Sequence, residues 1–328
     1  MKQQLAILLE FAIAALAHYV LPTGLSLELV NLSENATYRI TAPNGQRWAL
    51  RVHREGYHSR GAIESELAWF TALRNEGVAV TPRPLVGLDG KIVQEVRHSL
   101  HTGLRHVVLT EWEDGVEPRF EQDLLKPFEV LGEVAARMHD HARQWRRPPG
   151  FERFTWDFET ALGEGNPHWG RWRHGLGVDA ARAKLFQRTV DVIERRLLIY
   201  GKDQNRFGLV HGDLRLANFL IDGDVVKVLD FDDCGFSWFM YDAATPISFH
   251  EHAPEVPNLI EAWKVGYRKI SVLTKEDEAE IPTLVMFRRM LLVAWIGSHS
   301  DTELARRMGV AYTEGTDELC ESFLGKFS

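Results

Sequence analysis

Three observations predict an α+β fold in two lobes. Strand-like segments crowd the first ~115 residues, and helical ones dominate the remainder. The two kinds do not alternate as a doubly wound sheet requires. A chain of 328 residues is also about twice the length of one ordinary domain.

The elements follow in order. Residues 5–21 form an apolar run interrupted by Glu10 and His18, which reads as an amphipathic helix and neither a signal peptide nor a membrane span. Residues 25–32 read as a strand. Residues 36–41 and 48–53 read as two more, joined at Pro43-Asn44-Gly45, a strong hairpin signal. Residues 62–74 carry Leu67, Trp69, Phe70 and Leu73 at helical spacing. A second hairpin is expected at Asp89-Gly90, between 84–88 and 92–96, and then a short apolar strand at 107–112. Pro127 suits a first helical turn, and residues 128–141 continue it with Val130, Leu131, Val134, Ala135 and Met138 inward. Residues 151–177, with Trp156, Trp169 and Trp172, read as an irregular or helical insertion. A long helix is expected over 179–200, short strands at 208–210, 219–221 and 225–229, and helix from about 241 to 327.

Composition narrows function. Lys and Arg number 38 against 46 Asp and Glu, a net charge of −8, which argues against a nucleic-acid partner. Two cysteines, Cys234 and Cys320, exclude a disulfide framework and a CxxC zinc pattern, and a cytoplasmic protein with no membrane partner is expected. His139/His141 and His250/His252 are spaced two apart, which puts each pair on opposite sides of a helix.

The chemistry sits in one stretch, His211-Gly212-Asp213-Leu214-Arg215-Leu216-Ala217-Asn218, followed twelve residues after Asn218 by Asp230 at the end of an apolar run. Phosphoryl transfer needs these residue types. A carboxylate beside the acceptor hydroxyl orients it and takes its proton, a task for Asp213. Mg2+ prefers oxygen ligands and binds through a few side chains plus phosphates, a task for Asn218 and Asp230. Residues 219–221 and 225–229 read as a hairpin turning at Asp222-Gly223-Asp224, and a hairpin brings its two ends, Asn218 and Asp230, together. His211 is expected to support the loop, through phosphate or by packing behind it.

These motifs resemble the aminoglycoside phosphotransferase and choline kinase-like family of the protein kinase-like fold, and within it bacterial homoserine kinase-like or stress-response kinase-like proteins. Gly212 stands where eukaryotic protein kinases usually carry arginine, and Asp230-Phe231-Asp232 replaces their D-F-G. Ser33-Glu34-Asn35 with Thr37-Tyr38-Arg39 is similar to the family's first hairpin. Residues 131–139 are similar to its helix before the catalytic loop, and Tyr241-Asp242-Ala243-Ala244 to the helix after it. The resemblance implies a bilobal molecule with a small antiparallel β-sheet N-lobe for nucleotide (1–114) and a mainly helical C-lobe for catalysis and acceptor (115–328). It also implies ATP as donor, Mg2+ as cofactor and a small-molecule hydroxyl as acceptor. The phosphate-holding basic residue falls on Arg51, where the family often has lysine, and its acidic partner on Glu66, with Glu64 as competitor. No G-x-G-x-x-G occurs, so Ser33, Glu34 and Asn35 are expected to cradle phosphate, and the backbone at Glu111 and Trp112 to meet adenine at a hinge spanning 110–113. Asp232 and Asp233 are candidates for the acceptor site, where an acidic lining favours an amine-bearing alcohol such as an aminoglycoside, choline or an amino alcohol. Alternatives are a protein serine/threonine kinase, disfavoured by the lack of an A-P-E-like segment, and a nucleotide-binding pseudokinase scaffold.

Overall fold

A computed structural model describes residues 2–32, 35–98 and 103–328. The chain divides into two compact units, Met1–Gly115 with Arg146–Arg153, and Val116–Trp145 with Phe154–Ser328. The segment 146–153, expected in the second lobe, groups with the first because it is bonded there. Glu152 N–H donates to Ser65 Oγ at 3.0 Å, and Arg153 donates to the Ala62 carbonyl at 3.0 Å.

The first unit contains helix α1 (Lys2–Ala15), strands β1 (Ser26–Leu32), β2 (Ala36–Thr41) and β3 (Arg47–Val52), helix α2 (Arg60–Asn75), and strands β4 (Gln94–Val96) and β5 (Arg105–Glu111). The strands form one antiparallel sheet in the order β1-β2-β3-β5-β4. Strands β2 and β3 alternate buried and half-buried residues, the period-2 signature of a sheet with one covered face. Tyr38, Ile40, Trp48, Leu50 and Leu109 from that face pack with Phe11, Ala12 and Ala15 of α1. Ser59 caps α2 by accepting from Ala62 N–H at 2.9 Å. The expected hairpin at Asp89-Gly90 is reduced to a turn, with Gly87 N–H donating to the Lys91 carbonyl at 2.8 Å. Residues 84–88 form no strand beyond a single bridge from Pro84 to Thr110, since proline brings no N–H to a ladder.

The second unit contains α3 (Leu125–Gln144), β6 (Phe154–Thr155), α4 (Phe158–Ala161), α5 (Ala180–Tyr200), β7 (Phe207–Val210), β8 (Phe219–Asp222), β9 (Val225–Val228), β10 (Gly235–Trp238), α6 (Tyr241–Ala244), α7 (Val256–Arg268), α8 (Lys275–Ser298) and α9 (Glu303–Phe327), which breaks at Gly309. Helices α3 and α7 approach backbone to backbone. A Cβ on Gly132 would lie 2.0 Å from the Trp263 carbonyl oxygen, and one on Gly266 1.8 Å from that of Glu129. Strand β10, unexpected from the sequence, pairs antiparallel with β7 and parallel with β6. Strands β8 and β9 form the expected hairpin. Helix α8 is long and apolar enough to cross a membrane by length and composition, yet 78% of its apolar window is buried in the protein. It is the central core helix of this unit, packed by α5, α6 and α9. Cys234 and Cys320 are buried free thiols.

Candidate active site

The catalytic loop leaves β7 at Val210 and is held from behind by one carboxylate. Asp242, fully buried at the second position of α6, accepts from His211 N–H at 3.0 Å and Gly212 N–H at 2.8 Å. Its Oδ2 also meets His139 Nε2 at 3.0 Å, and His139 Nδ1 in turn meets Tyr267 Oη at 3.2 Å. Burial, only partly opposed by Asp242, holds His139 below its ordinary pKa. Gly212 is required twice over. Its φ is +79°, and a Cβ would sit 2.7 Å from the Asp233 carbonyl oxygen.

His211 does not face a substrate. Its ring is buried, Nδ1 accepts from Asp213 N–H at 3.3 Å, and Nε2 lies 2.9 Å from the Leu229 carbonyl oxygen. One tautomer, with hydrogen on Nε2, satisfies both contacts. Of the two supporting roles expected for His211, a contact to phosphate or packing behind the loop, these bonds fit the second, which ties the loop to the end of β9.

Asp213 is 8% exposed and both its oxygens are engaged. Oδ2 accepts from Asn218 Nδ2 at 2.7 Å and Arg215 Nε at 3.1 Å, and Oδ1 accepts from Arg288 Nη2 of α8. Burial acts to raise its pKa, but Arg288 first, then Arg215 and His211, outweigh it and hold the carboxyl below its ordinary value. Asn218 also donates to the Asp213 carbonyl at 2.8 Å, so its amide hydrogens point at Asp213 and Oδ1 is the atom left for a cation. Leu229 N–H donates to the Asn218 carbonyl at 2.8 Å, which sets Asp230 beside Asn218 as the hairpin argument requires. Asp230 adopts φ +56°, ψ +68°, a left-handed conformation in which a non-glycine residue stores strain typical of functional sites. An amide oxygen and a carboxylate are hard donors suited to Mg2+. Among the described residues no group of three or more His, Cys, Asp or Glu could hold a metal ion by itself.

Asp232 is buried and Asp233 half-buried in the turn after Asp230. Burial first, then Asp213 and Asp232, push the Asp233 carboxyl well above its ordinary pKa. Trp156 donates to the Asp233 carbonyl at 2.8 Å, and Trp156 and Trp169 contact each other at 5.0 Å. Trp172 packs instead on Phe186, as core.

In the first unit, Arg51 projects from β3 and donates to Glu66 Oε1 of α2 at 2.8 Å. Glu66 is 1% exposed, while Glu64 pairs with Arg60 at 2.8 Å on the outer side of the helix. Asn35 Oδ1 accepts from Arg54 N–H at 3.0 Å, so its side chain braces the end of β3. Ser33 and Glu34 lie outside the described residues. Glu111 N–H donates to the Arg83 carbonyl at 2.8 Å and Trp112 N–H to that of Arg47 at 3.3 Å, so these two amide donors are spent within the unit and only carbonyls there remain for adenine.

Arg288 and Asp242 were not assigned roles from the sequence. The signal for Arg288 was available: Arg288-Arg289 interrupts an apolar helical stretch, and charges inside a buried helix must be paired. Arg289 is paired as well, with Glu251 at 2.7 Å.

A strand–loop–hairpin that presents an aspartate, an asparagine five residues on and a left-handed aspartate after the hairpin has the parts of a kinase-like phosphotransferase. Comparison with known proteins agrees, for residues 27–279 match the family described as the phosphotransferase enzyme family (APH), and the chain belongs to that family. Amicoumacin kinase of Bacillus subtilis (strain 168) is 29% identical over 272 residues, covering 79% of this chain and 76% of the relative. The solved structure of the microcompartment-associated aminopropanol kinase superposes with a TM-score of 0.88 at 42% identity, covering 96% of this chain and 97% of that one. Amicoumacin kinase hAmiN, solved with AMP-PNP, Ca2+ and Ami, shares the fold at a TM-score of 0.76 and 21% identity, covering 97% and 96% of the two chains. The chain is thus a phosphotransferase of this family, whose similar proteins are small-molecule kinases, one of them solved with AMP-PNP and Ca2+.

Proposed function

We propose that this kinase phosphorylates the hydroxyl of a short amino alcohol. The observation that carries the reading is the Asp213 constellation, an ionised carboxylate bonded to Asn218 beside a cluster of further carboxylates. The 42% identity to an aminopropanol kinase supports the acceptor class. In the reaction the acceptor O–H breaks as its oxygen forms a bond to the γ-phosphorus, the bond from that phosphorus to the β,γ-bridging oxygen breaks, and ADP leaves. Asp213 orients the hydroxyl and receives its proton. Asn218 Oδ1 and Asp230 hold Mg2+, which neutralises charge on the phosphates. Arg51, steadied by Glu66, binds the α- and β-phosphates, a task for which a guanidinium fork is suited. Asp232, buried, and Asp233, half-buried, are the carboxyl groups to meet the acceptor ammonium, for they lie in the turn after Asp230 and Asp233 is close enough to feel the Asp213 charge. The two lobes carry these roles as nucleotide lobe and acceptor lobe.

The test is phosphoryl transfer from labelled ATP to 1-amino-2-propanol, ethanolamine and choline, with propane-1,2-diol as the amine-free control. Amino alcohols should be used and the diol should not. Asp213→Asn should lower kcat by about 10²–10⁴-fold with ATP binding nearly unchanged. Equal use of the diol would refute the ammonium role, and equal loss of turnover and ATP binding in Asp213→Asn would refute its role as base.

A further inference from the structure

The Asp213 carboxylate is located by two separate frames. Asp242 and His211 fix the backbone that carries it, through N–H groups of residues 211, 212 and 213. Those contacts leave the side-chain torsions undetermined. Arg288 supplies the second frame. Its guanidinium is 2% exposed and bonded along every edge. Nε donates to Ser248 Oγ at 3.1 Å, Nη1 to Tyr241 Oη at 3.1 Å and toward the Gly212 carbonyl at 3.4 Å, and Nη2 to Asp213 Oδ1. The ring of Trp169 lies 5.3 Å from its central carbon. A guanidinium held this way has no rotamer freedom, and the oxygen it binds inherits that rigidity.

Burying a guanidinium and a carboxylate is a poor route to stability compared with an apolar side chain of similar size. Helix α8 is otherwise apolar on this stretch, and Met290 and Leu291 next to the arginine pair fill core space without a charge. What distinguishes Arg288 is its partner, the reacting carboxylate. We propose that Arg288 is a positioning residue for phosphoryl transfer, clamping Asp213 Oδ1 so that, with Asn218 and Arg215 on Oδ2, the carboxylate keeps one orientation toward the acceptor hydroxyl. The inference rests on the assignment of Asp213 as base and not on the identity of the acceptor.

The charged and titratable groups around Asp213 are His211 and Arg215 on its own loop, Asp230, Asp232 and Asp233 from the turn after β9, Tyr241 from α6 and Arg288 from α8. Arg288 holds Oδ1 from the core helix, while Arg215 of the loop reaches Oδ2.

The experiment compares the full-length wild type with Arg288→Lys, Arg288→Met and the milder Tyr241→Phe. It measures kcat and KM for ATP with 1-amino-2-propanol and the slow hydrolysis of ATP with water as acceptor, with a melting curve for folding. Arg288→Met should lose about 10²-fold in kcat, the cost of a misplaced reacting group, with KM for ATP changed by less than about threefold. Arg288→Lys, which keeps the charge but not the fork, should recover about tenfold of that loss. Tyr241→Phe, which removes one of the contacts that hold the guanidinium, should lose about threefold in kcat with KM for ATP unchanged. The inference is overturned if folded Arg288→Met keeps its kcat, if kcat and ATP affinity fall together, or if lysine rescues nothing. Should Arg288→Met fail to fold, an unchanged kcat in Tyr241→Phe overturns it. If the wild type rejects amino alcohols but hydrolyses ATP, the acceptor reading fails while the hydrolysis series still judges Arg288. A wild type that transfers to neither overturns both.

Discussion

Replacing Asp242 by asparagine changes almost no volume and removes one acceptor from the centre of the catalytic loop. In the native protein Oδ1 accepts from Gly212 N–H and Oδ2 from both His211 N–H and His139 Nε2. An asparagine keeps its carbonyl on Gly212 and turns its NH2 toward the other two. His139 can answer by moving its hydrogen to Nδ1, where the Tyr267 hydroxyl accepts it at 3.2 Å. The His211 N–H has no such remedy and faces another donor in a fully buried place. One orphaned buried donor costs about 1–3 kcal/mol, and replacing a charged acceptor by a neutral one on Gly212 adds about 1 kcal/mol, for a total of roughly 2–4 kcal/mol. For a unit of this size that corresponds to a melting point lower by roughly 4–16 °C. Asp242→Ala orphans both N–H groups and should be worse by about 1–3 kcal/mol. Urea unfolding followed by fluorescence reads these losses, and kcat at saturating ATP reads the loosening of Asp213. A melting point within 2 °C of wild type, or an alanine variant as stable as the asparagine one, would refute the reasoning.

Other outcomes follow from the same geometry. Glu66→Gln should raise KM for ATP by about tenfold because it removes the buried charge behind Arg51, whereas Glu64→Gln, an exposed partner of Arg60, should leave KM unchanged. Gly212→Ala, at φ +79° and 2.7 Å from the Asp233 carbonyl, should cost about 1–3 kcal/mol and most of the kcat. Gly45→Ala, at φ +86° with nothing within 4 Å, should lose about 1–2 kcal/mol of stability in its own turn and no kcat. The folded pKa of Asp213 lies below its unfolded value of about 3.9, so its contribution to stability is present above that value and lost as pH falls toward the folded one. Asp233 has the opposite sign, its contribution being present below about pH 3.9 and lost as pH rises through the raised folded value. Urea midpoints between pH 3 and 9 should therefore show less acid sensitivity in Asp213→Asn, and less loss of stability toward alkaline pH in Asp233→Asn.

The parts of the site that could be read in the sequence are those dictated by local geometry. The pairing of β8 with β9 returns the chain to its start, so Asn218 and the neighbourhood of Asp230 meet whatever surrounds them. Glu66 was separable from Glu64 because it borders the apolar stripe of α2. Long-range choices were not legible. Arg288 reaches Asp213 across 75 positions, and nothing in its own helix names the partner. His211 lay next to the reacting residue in sequence, yet the left-handed turn at Gly212 reverses the loop and puts the imidazole behind it. Strand β10 is four residues of glycine, aromatics and serine, too short for a period to show, and exists because β6 and β7 offer it two edges.

The sheet-bearing unit is not contiguous, for Arg146–Arg153 joins it after α3 has intervened. During synthesis on the ribosome the first 115 residues emerge without the strap that satisfies Ser65 and Ala62. A fragment ending at the apparent lobe boundary should be prone to aggregation, and split versions of this enzyme should be cut beyond residue 153.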